Sequence, residues 1–164
     1  MSVLSAEAPA PAPALARERG YLQPGNLVVP AVPTAITTIL GSCVAVCVWD
    51  WRQRIGGMNH FMLPLPSPGN APSPRFGNTA MEELFKRLEL SGSRKPFLRA
   101  HVYGGACMFP GMRSTRHLGI QNAELALEFL KTRGIEIGDV DTGGSRGRKV
   151  IFNTDEGTSC LTLI

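Results

Sequence analysis

Two residues in this chain could together perform covalent chemistry. One is the thiol of Cys43, at the end of Leu40-Gly41-Ser42-Cys43. The other is the imidazole of His60, within Gly56-Gly57-Met58-Asn59-His60-Phe61-Met62-Leu63-Pro64. A thiol attacks as its thiolate, and a neighbouring base both generates that state and protonates the leaving group. Gly41 lets the chain turn ahead of the sulfur and keeps backbone N–H groups near it unobstructed. Gly41 and Ser42 therefore read as backbone support for an oxyanion. A third group should orient the imidazole. Thr37 and Thr38 both lie just upstream of Cys43, and spacing does not choose between them.

The competing explanation is a buried thiol and a hydrogen-bonded core histidine, since free cysteine often acts as a small hydrophobe. The Gly56-Gly57 pair and the polar Asn59 beside His60 weigh against it. Cys47 lies deeper in the apolar run Val44–Trp49, with no glycine turn, and reads as core. Cys43, Cys47, His60, His101, Cys107 and His117 could also supply metal ligands. None has the close spacing of a structural zinc site, so a metal-binding domain is the weaker alternative. The run Gly143-Gly144-Ser145-Arg146-Gly147-Arg148-Lys149 lacks the Lys-Ser or Lys-Thr that closes a phosphate loop, and reads as a basic surface turn. Arg113, Arg116, Arg146 and Arg148 are candidates for docking an acidic partner.

The elements that must hold these residues follow from pattern. Residues 1–20 are rich in Ala and Pro without apolar periodicity and read as a disordered tail; a single domain is expected over 21–164. Residues 27–29 and 35–39 read as strands. Residues 43–49 are apolar on both alternating faces, as in a strand buried on both sides, and 55–63 run back to complete a hairpin. Residues 64–74 form a proline-rich loop. A helix follows, with Thr79 as N-cap, Glu82 completing a capping box, and Met81, Leu84, Phe85 and Leu88 on one stripe. Residues 97–103 read as a strand ending at Gly104-Gly105. A second helix runs from Asn122 as N-cap to Gly134, with Ala123, Leu127 and Leu130 on one face. Residues 135–140, 149–152 and 159–164 read as three more strands. The order predicts an α/β fold of the α+β type, with mixed β-sheets in a sandwich flanked by two main helices.

Bulk properties narrow the function. The chain has 164 residues, 43% hydrophobic and 18% charged, which suits a globular protein with a sizeable core. The net charge of +4 and pI near 9.1 favour an acidic partner surface but are too slight to imply nucleic acid. Four scattered cysteines without a CxxC pair suggest free thiols in a reducing compartment. Pro9, Pro11 and Pro13 break any signal-peptide core, and no apolar run approaches the roughly 20 residues of a membrane span. A soluble, cytoplasmic protein without membrane insertion is expected.

Taken together, these blocks resemble the CheD family, the chemoreceptor glutamine deamidases of bacterial chemotaxis, over residues 21–164. Leu40–Cys47 and Ile55–Pro64 carry the resemblance most specifically. Phe76–Met81, Val102–Ala106, Ile120–Ala123, Gly143-Gly144 and Gly147–Val150 support it. The resemblance implies a fold like that of the bacterial deamidating toxins. It also implies a protein-glutamine glutaminase with a Cys-His-Thr site that forms a thioester and requires no metal or organic cofactor. It places the catalytic Cys on Cys43, the His on His60 and, six residues before the Cys, the Thr on Thr37 rather than Thr38. The implied partners are methyl-accepting chemotaxis receptors as substrate and, for some members, a CheC-type phosphatase. The alternative is a non-catalytic module that docks to receptor or phosphatase. Asn78 stands where the family usually carries an acidic residue.

Overall fold

The computed structural model describes residues 16–109, 111 and 116–164. In chain order the strands and helices are β1 (Glu18–Tyr21), β2 (Leu27–Val28), β3 (Thr34–Leu40), β4 (Val44–Asp50), β5 (Ile55–Phe61), α1 (Gly77–Leu90), β6 (Leu98–Gly104), α2 (Leu118–Thr132), β7 (Glu136–Thr142), β8 (Arg148–Asn153) and β9 (Thr158–Leu163). One sheet has the order β1-β3-β8-β9 and the other β2-β5-β4-β6-β7. Each mixes one parallel pair with antiparallel ones: β1 with β3, and β6 with β7.

β4 explains the layering. Its side chains alternate between two cores, so the whole strand is apolar. Val44, Val46 and Val48 face α1 and α2, packing with Met81, Leu84, Leu88, Ala126 and Leu130. Ala45 and Cys47 face the other sheet, packing with Ile36, Leu40, Val150 and Phe152. The result is three layers: the four-stranded sheet, the five-stranded sheet, then both helices. This is the mixed two-sheet α/β arrangement expected from element order. The expected hairpin is also present, with β4 antiparallel to β5 and Ala45 opposite His60.

Three boundaries differ from the pattern. β1 pairs along β3 from Glu18, so order begins before the expected boundary at Tyr21. Its four residues are exposed and carry no apolar alternation to announce them. The rest of the expected tail, residues 1–15, lies outside the described residues. α1 starts at Gly77 rather than after Thr79, and Phe76 at its N-cap makes no side-chain bond. Loop carbonyls replace the capping box, because Leu63 and Pro64 accept from the N–H groups of Gly77 and Asn78. α2 begins at Leu118, with His117 as N-cap accepting from the Ile120 N–H at 3.3 Å. Asn122 therefore lies inside the helix, on its buried face with Gly119, Ala123, Ala126 and Leu130.

Leu84 is fully buried between α1 and the five-stranded sheet, whereas Leu90 on the same helix is 78% exposed. Leu84→Ala should lower the free energy of urea unfolding by about 2–5 kcal/mol. Leu90→Ala should change it by less than about 0.5 kcal/mol.

Candidate active site

The β3–β4 connection, Gly41 to Cys43, is held by hydrogen bonds from the chain that follows β6. Gly105 N–H donates to the Cys43 carbonyl at 2.8 Å, and Ala106 N–H to the Gly41 carbonyl at 2.9 Å. The unusual backbone is on the bracing side. Gly104 and Gly105 have φ of 111° and 69°, and a Cβ on Gly104 would run into the Cys43 carbonyl. Gly41 itself has no left-handed φ; a side chain there would instead crowd Met108, whose Cγ lies 3.3 Å from the ideal Cβ position. The turn before the thiol thus depends on close approach, not on the conformational freedom expected of Gly41.

Cys43 is half-buried and packs with the inter-sheet core, on the same face of β4 as Ala45 and Cys47. His60 stands opposite Ala45 in the antiparallel register. Directly opposed residues share a face, and diagonal neighbours lie within reach of longer side chains. The thiol and imidazole therefore project from one face of the hairpin into the layer between the sheets.

His60 is held from the opposite sheet. The Thr38 hydroxyl lies 2.7 Å from His60 Nδ1 and 2.8 Å from the Leu22 carbonyl oxygen. The carbonyl can only accept, so the hydroxyl donates to Leu22. Its oxygen then accepts from His60 Nδ1–H, and Nε2 is left as a bare lone pair. Nε2 is buried and has no hydrogen-bond partner among the described residues. This is the tautomer a general base requires.

The threonine whose hydroxyl meets the imidazole is therefore Thr38, whereas the family spacing pointed to Thr37. β3 alternates, sending Ile36, Thr38 and Leu40 inward. Thr37 lies on the other face, and its contribution is a backbone carbonyl that accepts from Leu22 N–H at 2.9 Å. That bond holds Leu22 beside β3, where its own carbonyl meets Thr38.

Burial sets the electrostatics. It lowers the His60 pKa to about 4. It raises the Cys43 thiol above its ordinary value, against the pull of that residue's own backbone N–H, which favours the thiolate. Cys47 is raised further by complete burial, consistent with a core role. Burial therefore favours the neutral thiol and the neutral imidazole, and His60 Nε2 makes no hydrogen bond to the Cys43 sulfur. Asn59, next to His60, turns to the helix side, where its Oδ1 accepts from Val46 N–H at 2.9 Å. Gly56 and Gly57 permit close packing: a Cβ on Gly57 would strike Val29, the Val28 carbonyl and Leu84. These neighbours of His60 are structural.

The chain compares closely with known proteins. A family model described as CheD chemotactic sensory transduction matches residues 62–162. Probable chemoreceptor glutamine deamidase CheD 1 of Anaeromyxobacter dehalogenans is 46% identical over 143 residues, which cover 87% of this chain and 83% of that protein. The chain belongs to the CheD family. A further member, from Trichlorobacter lovleyi, is 44% identical over 86% of this chain and 88% of its own. Another, from Methanococcus vannielii, is 37% identical over 81% and 87%.

The four candidate docking arginines fare differently. Arg148 is buried, with Nη2 2.8 Å from Asp141 Oδ1 and Nη1 3.3 Å from the Arg146 carbonyl. It ties β8 to β7 and is not available for docking. Arg146 and Arg116 are exposed, Arg116 lying 3.8 Å from Glu124. Arg113 lies outside the described residues. No three His, Cys, Asp or Glu side chains among the described residues converge on a point that could hold a metal ion. No helix there is long and apolar enough to cross a membrane.

Two groups that touch this region were not read from the sequence as part of a site. The Leu22 carbonyl, which accepts from Thr38, carries no side-chain signal at all. Asn122, read as a helix cap, donates through Nδ2 to the Ser42 and Met62 carbonyls, and its signal is a polar residue among the small and apolar residues of the buried face of α2.

Between the ordinary histidine value of 6.5 and about 4, the unfolded chain binds a proton at His60 that the folded CheD chain does not. Stability therefore rises with pH across that window and is lost as pH falls through it. About 2.5 pH units at about 1.4 kcal/mol each set a ceiling of about 3.5 kcal/mol. Urea unfolding from pH 7 to 4 should show this loss in the wild type and a shallower one in His60→Gln. Equal slopes would mean that His60 is not held neutral by burial.

Proposed function

We propose that this chain is a protein-glutamine deamidase that converts glutamine side chains of methyl-accepting chemotaxis receptors to glutamate and releases ammonia. Membership of the CheD family supports the substrate and the reaction. The observation that carries the mechanism is the Leu22–Thr38–His60 hydrogen-bond chain, which leaves an unprotonated Nε2 on a residue that the strand register places on the Cys43 face of the hairpin.

The Cys43 sulfur attacks the carboxamide carbon as its proton passes to His60 Nε2. A neutral pair suits this concerted transfer, because burial disfavours a standing thiolate–imidazolium pair. The Cys43 N–H, beside the sulfur, donates to the developing oxyanion. The C–N bond breaks and His60 returns the proton to nitrogen, so ammonia leaves and an acyl thioester remains. Water then attacks that thioester, giving its proton to Nε2 as the oxygen–carbon bond forms. The thiolate leaves and recovers a proton from His60, and the product is glutamate. Thr38 holds the imidazole throughout by accepting from Nδ1–H. Exposed Arg116 and Arg146 provide positive charge for an acidic receptor surface.

A purified receptor cytoplasmic fragment incubated with the protein should gain about 1 Da per modified glutamine by mass spectrometry, and Cys43→Ala should give no gain. No gain with wild type would make the chain a docking module; full activity in Cys43→Ala would remove the nucleophile. Thr38→Val should lower kcat by roughly 10²-fold or more through loss of the imidazole's orientation. Thr37→Val should stay within a few-fold of wild type. The reverse order would return the orienting role to Thr37.

A further inference from the structure

Asn122 sits on α2, fully buried, and its side chain reaches the chain just before β4 and just after β5. Its Nδ2 lies 3.0 Å from the Ser42 carbonyl oxygen and 3.0 Å from that of Met62. Both neighbours are acceptors, so the amide nitrogen, not the oxygen, must face them. One N–H goes to each. Ser42 immediately precedes Cys43, and Met62 lies two residues beyond His60. The β4–β5 ladder ends at the Val44–Phe61 pair. Just beyond it, the carbonyls of Ser42 and Met62 are held together by this one amide.

We propose that Asn122 is a positioning residue that fixes the nucleophile turn against the end of the strand bearing the base. This rests on Cys43 and His60 being the reacting pair. Two consequences follow from the geometry. The clamp sets the separation of Cys43 from His60 where strand pairing no longer does. It also sets the plane of the peptide between Ser42 and Cys43. In a trans peptide the C=O and N–H point in opposite directions. Holding the Ser42 oxygen toward α2 therefore aims the Cys43 N–H away from α2. The hydrogen bond to that oxygen also polarises the unit, making the N–H a stronger donor.

Helix capping does not account for the residue, because α2 is capped by His117. Asn122 Oδ1 is buried without a hydrogen-bond partner among the described residues. An amide kept with one end unsatisfied carries a cost that apolar neighbours such as Ala123 and Ala126 avoid. The helix is pressed close at this point, since a Cβ on Gly119 would collide with the Gly105 and Ala106 carbonyls.

The test uses the full chain with Asn122→Ala and Asn122→Ser, the second retaining one donor. Thr154→Val serves as a stability control. It removes a buried bond from Thr34 N–H at the opposite end of β3. Three quantities are measured: the pH profile of iodoacetamide alkylation at Cys43, read on its own peptide by mass spectrometry; kcat and KM on receptor fragment; and urea unfolding. Asn122→Ala should slow Cys43 alkylation at neutral pH and move its midpoint alkaline, by about one unit. It should cut kcat by roughly 10–10²-fold with KM within about twofold. Asn122→Ser should fall between Asn122→Ala and wild type, and decides the matter if Asn122→Ala does not fold. The control should lose stability without moving the profile. The proposal is overturned if the Asn122 variants move neither profile nor kcat beyond the control. A wild type that alkylates at Cys43 but never deamidates would instead remove the enzymatic assignment, while the alkylation profiles still decide the role of Asn122.

Discussion

The site depends on one hydroxyl. Thr38 belongs to the four-stranded sheet and His60 to the five-stranded one, so their 2.7 Å contact crosses the space between layers. Because Thr38 also gives its proton to the Leu22 carbonyl, the imidazole has one available tautomer. Shape and chemistry are thereby linked. The packing that holds the sheets together, through Ile36, Leu40, Met58 and Phe152, also brings the hydroxyl to the ring.

Low dielectric between the sheets acts in two directions. It strengthens the Thr38 hydrogen bonds, and it penalises charge on both Cys43 and His60. A site with a standing ion pair would be reactive toward any electrophile that reached it. Here burial favours the neutral form of both partners. The backbone around the sulfur is comparably constrained, with the Cys43 and Gly41 carbonyls held by Gly105 and Ala106, and the Ser42 carbonyl by Asn122. Three successive carbonyls are fixed, leaving the Cys43 N–H little freedom to turn.

The distribution of charge follows the same economy. Arg148 looked like a surface residue because it lies in a Gly-rich basic run. β8 places it inward, where a carboxylate and a carbonyl satisfy it. Arg116 and Arg146, by contrast, are exposed and lie outside the strands.

The sequence alone was enough to identify the hairpin, the strand buried on both faces and the apolar stripe of α1, and it singled out Cys43 and His60 as candidates. Those features are local or periodic, and alternation along β4 and β5 puts the pair on one face by parity. It could not decide between Thr37 and Thr38, because both suit a strand equally. Only the packing of one sheet on the other determines which side of β3 faces His60. Likewise Asn122 has the composition of a helix cap, and its contacts with the Ser42 and Met62 carbonyls appear only when α2 is laid across the ends of β4 and β5. The Leu22 carbonyl has no side-chain identity to read. The thiol and imidazole are therefore legible in the chain itself, while the groups packed around them come from contacts between elements distant in sequence.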